Sequence, residues 1–192
     1  MMLPALVIFI LLFCRLSLAA VPTNAALIEL EGTVVVSRSG SPAWDAAYTN
    51  QMLFPGDRLR TLERSRAVVR LSDFSLLRLS ELTHIQIPAP TSRRSGFHLL
   101  RGLLYFFHRD KLGVMPVTTP TAYAVVLGTE FTVVVEEDGS TRLTLLEGSV
   151  EMTNQFGSVT LKTGEAAEAG PALAPRKTPS LPAINAIQWV IY

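Results

Sequence analysis

From Leu27 to about Ala169 the chain is a succession of short apolar runs with period-2 alternation, separated by Gly, Pro and Asp at hairpin spacing. Successive side chains of an extended strand point to opposite faces. Val69 and Leu71 therefore fall on one face and Val68 and Arg70 on the other, and Ile85 and Ile87 oppose His84 and Gln86 in the same way. Before residue 180 no stretch sustains a capped helical pattern over several turns. These features predict an all-β fold, a single domain of short, bent antiparallel strands forming a sandwich or double-stranded β-helix-like roll over residues 27–170. With 192 residues, 48% of them hydrophobic, the chain can bury one core.

ELEGTVVV (29–36), LLRGLLYF (99–106) and LLEGSVEM (145–152) each hold a glycine inside an apolar strand signal. Glycine weakens a strand interior and marks a bulge or bend, so Gly32, Gly102 and Gly148 predict three corners. The run LGTEFTVVVE (127–136) raises a sharper question, because Glu130 stands among Phe131, Val133 and Val135. Pairing these odd positions with Leu143 and Leu145 requires the loop Glu137-Asp138-Gly139 with Gly139 left-handed. A shorter Asp-Gly turn would set Val133 against Thr144 and Val135 against Arg142. The longer loop places Glu130 on a polar face with Thr132, Thr144 and Arg142, partly exposed, with no second carboxylate or metal beside it. Gly128-Thr129 then turns the chain into that strand.

No constellation of catalytic residues emerges. A Gly-x-Ser-x-Gly elbow and the glycine-rich phosphate loops are missing. His84, His98 and His108 are isolated and read as histidines on half-exposed strand faces, although His98 and His108 flank a predicted bend and are the pair that a fold could bring together. Asp45, Asp57, Asp73, Glu130, Glu147 and Glu165 are scattered, and a glycosidase needs two acids across a cleft. Asp57, after Pro55-Gly56, reads as a turn aspartate bonding its own backbone. The assignments are no catalytic residue, no cofactor and no metal ligand. A formal net charge of +1 and a short SRRSGFHLLR loop argue against nucleic acid. In LLYFFHR, Tyr105 and Phe107 alternate with Leu104 and Phe106, which predicts a central strand buried on both faces. Trp44 and Tyr48 are the clustered aromatics expected at the surface.

MMLPALVIFILLFC is shorter than the ~20 apolar residues needed to span a bilayer, and Ser17 and Ala19 suit the cleavage positions of signal peptidase. Residues 1–20 are read as a signal peptide, with an N-terminal anchor as the alternative. Phe13 before Cys14 does not suit lipid attachment, and the only cysteine leaves with the signal. Residues 171–183 read as a Pro/Ala-rich linker and 184–192 as a short apolar terminal segment.

Taken in order, LFPGDRLRTLERSRAVVRLSDFSLLRLSELTHI, LLRGLLYFF, VTTPTAYAVVLGTEFTVVVEEDGSTRLTLLEGSVEM and GSVTLKTGE resemble a FecR-type domain, the module named for the ferric-citrate regulator. The most specific phrases are Pro55-Gly56-Asp57, the Thr-Pro to Gly-Thr-Glu-Phe stretch (119–131) and Leu146-Glu147-Gly148-Ser149-Val150. The resemblance implies an all-β periplasmic domain that binds protein and has no catalytic residues. Regulator members carry an anti-sigma segment and a membrane span ahead of it, whereas here an export signal comes first. The resemblance is therefore to exported members with the domain alone or ahead of helical repeats, whose lead-in IQWVIY resembles. Asp73-Phe74-Ser75 stands where the family favours Asp-Gly-Ser, which predicts a looser turn. The expected function is a non-enzymatic protein-interaction and signal-relay module without an anti-sigma segment, periplasmic or secreted. Its partner is a cell-envelope protein, and it meets the membrane only through residues 1–20. A carbohydrate- or cell-wall-binding β domain is the alternative, and an envelope hydrolase the third reading.

Overall fold

The computed structural model of the protein describes residues 25–71, 74–88, 96–108 and 115–179. The expected signal peptide over residues 1–20, the Arg93-Arg94 loop and the terminal segment 184–192 lie outside those residues. The described chain is all-β, in one large mixed sheet that does not close into a barrel. Its first half comprises β1 (Ala25–Glu31), β2 (Val34–Ser37), β3 (Asp45–Ala46), β4 (Gln51–Leu53), β5 (Arg58–Thr61), β6 (Arg66–Arg70), β7 (Leu76–Leu79) and β8 (His84–Gln86). The second half has β9 (Phe97–Phe107), β10 (Met115–Thr118), β11 (Tyr123–Val135), β12 (Thr141–Asn154), β13 (Gly157–Lys162), β14 (Ala166–Ala169) and β15 (Arg176–Thr178). The main path runs β15-β14-β12-β11-β10-β9-β7-β6-β1-β4, and β2, β3, β5 and β8 branch from it through β9. The pairing of β10 with β9 is parallel.

Alternation sorts the side chains as the sequence indicates. Val69 and Ile85 are fully buried, while Val68, His84 and Gln86 are half-buried and Arg70 is exposed. The inward residues of both halves form one core, with Leu27, Leu59, Val69 and Ile85 on one side of the chain's midpoint and Leu104, Phe131, Leu143 and Leu161 on the other. At its centre Phe106 and Phe131, register partners on β9 and β11, stack with centroids 4.8 Å apart. The opposite face of β9 differs from expectation: Tyr105 is buried but Phe107 is 37% exposed.

Strands β9, β11 and β12 are long because each turns a corner. β9 pairs with β8 up to Arg101 and with β11 from Gly102 onward. Gly102 has φ +91°, and a Cβ there would stand 2.5 Å from the Thr83 backbone. Corners in β11 and β12 coincide, where Gly128 faces Gly148 and a Cβ on Gly148 would lie 2.4 Å from the Gly128 Cα. The parity of the inward positions flips there. Ala124 and Val126 are buried before the corner, and Phe131, Val133 and Val135 after it. Residue 129 of β11 and residue 146 of β12 are each left out of the register. Gly128-Thr129 is thus a corner within one strand and not its entry. Gly32 ends β1 instead of bending it, since φ +73° there separates β1 from β2.

The hairpin after the corner has the predicted register, with Phe131 opposite Leu145 and Val133 opposite Leu143. The Glu136 amide donates to the Ser140 carbonyl at 2.9 Å, and Gly139 has φ +84°. Within the Pro/Ala-rich stretch, Arg176–Thr178 adds to β14 as the sheet's terminal strand.

Candidate functional site

Glu130 is half-buried, as alternation requires, but its surroundings differ from those expected. The corner brings Glu147 opposite it in the register, so a second carboxylate does stand on the neighbouring strand. Arg142 lies opposite Val134, and its Nη2 is 3.5 Å from Glu168 Oε1. Glu130 instead accepts a hydrogen bond from the Tyr105 hydroxyl at 2.6 Å. Burial first, and then that bond and the Glu130 charge, hold the phenol above its usual range, so Tyr105 stays a donor. Glu147 is exposed and accepts from Thr129 Oγ1 at 2.8 Å. The two acids thus each bond within the corner.

The other candidates are also spread apart. Asp57 is buried and accepts from the Phe54 amide at 3.0 Å, which is the turn role expected of it. It also accepts from the Ser39 amide at 3.0 Å and pairs with Arg38 Nη1 at 2.7 Å, tying the β4–β5 turn to the end of β2. Glu165 pairs with Lys177 Nζ at 2.6 Å across to β15, and that bond, with one from the Lys162 amide, lowers its pKa. His98 and His108 fall at opposite ends of the long strand β9, so the bend does not bring them together. His108 is buried, not half-exposed, and shares a hydrogen bond with Ser75 Oγ at 2.9 Å. Among the described residues no group of three or more His, Cys, Asp and Glu could hold a metal ion.

Two surface features remain. The first is an open groove of about 780 Å3 between the 118–123 turn, the 138–139 loop and the 153–156 turn. The hydroxyls of Thr119 and Thr121 are engaged within the protein: Thr141 Oγ1 donates to Thr119 Oγ1 at 2.8 Å, and Thr121 Oγ1 to the Gly139 carbonyl at 2.8 Å. Phe156, 48% exposed, is its apolar rim. The second surrounds Trp44. The ring is half-buried, with the Arg60 guanidinium 4.2 Å and the Arg58 guanidinium 5.2 Å from its centroid and the His84 ring edge-on at 5.6 Å. Trp44 is therefore part of a stacked cluster. Alternation marked His84 as outward-facing, but its assembly with Arg58 and Arg60 around Trp44 depends on pairing β5 with β8, which lie far apart in the sequence. Large exposed side chains outside the expected Trp44–Tyr48 pair include Phe54, Phe74, Leu127 and Phe156.

Phe74 stands in the turn before β7. It takes φ +64°, the conformation a glycine would supply, and its amide donates to the Leu71 carbonyl at 3.0 Å. The Leu71 amide donates to Ser75 at 2.9 Å. Asp73 lies outside the described residues; at Phe74 a strained phenylalanine, 78% exposed, holds the conformation that a glycine would supply.

A family model described as FecR protein matches residues 57–151. No curated protein matches the chain. Among solved structures, a protein assigned as an anti-sigma factor from Parabacteroides distasonis ATCC 8503, solved at 1.65 Å, superimposes with a TM-score of 0.59 at 22% identity. The match covers 69% of this chain and 64% of that one, so this chain spans a little under two thirds of its length. A second crystal structure of such a protein from the same organism, at 2.50 Å, gives a TM-score of 0.58 at 20% identity, covering 69% of this chain and 63% of the other. These likenesses establish a shared fold. Residues 57–151, from β5 into β12, match a FecR protein domain.

Proposed function

We propose that this protein is a non-enzymatic signal-relay module of the cell envelope that works by binding another protein. The observation that carries the reading is the FecR match, which spans strands from both halves of the single core. The structural relatives assigned as anti-sigma factors support the same class of role. The disposition of the acids is consistent with it. Asp57, Glu130, Glu147 and Glu165 each bond within the fold, whereas large apolar side chains are left at the surface, as on interaction modules. The signal-like residues 1–20 support export to the periplasm or beyond.

Affinity capture from envelope extract with the full chain, set beside a glycan array, tests the reading. The expected result is a retained protein and no glycan, and polysaccharide retained without any protein would overturn it. N-terminal sequencing of the exported form is expected to begin at Ala20.

A further inference from the structure

Strands β3, β2, β5, β8 and the first half of β9 lie side by side, and residues directly opposite one another share a face. Arg60 stands opposite Val35 and His84, and Arg58 opposite Ser37 and Gln86. Leu59 and Ile85, between them, point into the core. Arg58, Arg60, His84 and Gln86 thus project together from the outer face, with Trp44 laid across both guanidinium groups.

Among the described residues no carboxylate pairs with either arginine. Asp45 is opposite Val36, which is buried, so it sits on the other face. Asp57, one position before Arg58, also faces away and is held by Arg38, and Glu137 is taken by Arg101 on β9. Among the described residues neither Arg58 nor Arg60 forms an ion pair. Arg58 is held in place by neutral acceptors, donating from Nη2 to Ser37 Oγ and to the Ser41 carbonyl, both at 2.8 Å. His84 Nε2 is buried without a hydrogen-bond partner. An open pocket of about 680 Å3 lies over this cluster, lined by Trp44, Arg58, His84, Gln86 and the Ser39–Pro42 loop. Two like charges held close together on one face repel, and that cost is recovered when an anion sits between them. The planar fork of a guanidinium matches a carboxylate, and its stacking on Trp44 orients it before any ligand arrives.

We infer that the pocket lined by Trp44, Arg58 and His84, beside which Arg60 stacks on the same Trp44 ring, is a carboxylate-binding site that receives an Asp or Glu side chain from an acidic segment of a protein partner. This rests on the protein-binding reading above and names the chemistry of one contact in it. Arg58 supplies one charge from the pocket wall and Arg60, across the same indole, a second with its fork uncommitted among the described residues, while the His84 ring forms part of the wall.

The test uses the full chain, wild type and Arg60→Gln, with the Trp44 indole and His84 ring followed by NMR during titration with an acetylated tetraglutamate peptide. Saturable shifts of both signals that weaken with salt are expected, with affinity reduced about tenfold in Arg60→Gln and only partly restored in Arg60→Lys, which keeps the charge but not the fork. Equal affinity in wild type and Arg60→Gln, or no shift at either ring, would overturn the site. Inorganic phosphate displacing the peptide from the same two rings at lower concentration would overturn the carboxylate assignment. Envelope capture repeated with Arg60→Gln separates the two levels. A partner held equally by both proteins removes the pocket and leaves the module reading, whereas no protein held by wild type removes the module reading.

Discussion

At the scale of single residues, the electrostatics of this domain are concentrated in a few half-buried groups. The buried Asp57 carboxylate accepts three hydrogen bonds, one of them from a half-exposed arginine. Truncating it strands two backbone amides and a guanidinium, so Asp57→Ala should cost about 2–3 kcal/mol in urea unfolding, with Asp57→Asn milder. His84 carries a pH prediction. Burial, followed by the charges of Arg60 and Arg58, lowers its pKa from 6.5 to about 4. The neutral imidazole is therefore the folded form. As pH falls below 6.5 the unfolded chain takes up a proton that the native state refuses, and stability declines until about pH 4. The ring is half exposed, so the loss is on the order of 1 kcal/mol after screening, and His84→Gln should remove that part of the acid slope. Phe74 provides a test of opposite sign. Its left-handed conformation is strained and its side chain buries little, so Phe74→Gly should raise stability by about 0.5 kcal/mol.

At the scale of elements, the corners are the sites where substitution is most costly. Gly148→Ala meets both a φ of +119° and the Gly128 backbone, so a loss of more than about 3 kcal/mol is expected. Gly164→Ala shares the positive φ, at +83°, but has open space around it, and about 1 kcal/mol is expected there. Thermal melts of the two variants side by side separate steric approach from backbone strain. The same elements show what the sequence makes legible. The 131–145 register followed from odd–odd alternation alone, because a one-residue slip would have put Val133 and Leu143 in water. The paired corner at Gly128 and Gly148 was only half visible. Gly148 marked a bend, but residues 129 and 146 drop out of the two strands together, so their offsets cancel and the hairpin register carries no trace of them. The parity change from Val126 to Phe131 was the available signal. Glu130 lost Arg142 and gained Tyr105 for that reason, and pairings such as β5 with β8, which build the Trp44 cluster, have no local signature at all.

At the scale of the molecule, the family match and the cooperative unit do not coincide. The match begins at Asp57 and ends at Glu151. Inside those limits β5 loses its partner β2, β6 loses β1, and β12 loses β13 and β14. The core loses Leu27, Val36, Leu53, Leu161 and Ala167, all essentially inaccessible to solvent in the whole domain. Each lost strand also leaves a ladder of unpaired amides and carbonyls on β5, β6 or β12, a template for aggregation. A fragment of residues 57–151 is therefore expected to lack cooperative unfolding, bind a hydrophobic dye and give poorly dispersed amide signals. The full chain should unfold in one transition, with hydrogen exchange at Val69 and Val133 protected to the same free energy, because both lie in the same core. A fragment that unfolds cooperatively with native-like dispersion would show that β5 to β12 close a core without help. Capture of a protein partner by such a fragment would also place the binding surface away from Trp44, since residues 25–56 hold that ring, and would count against the carboxylate pocket independently of any titration.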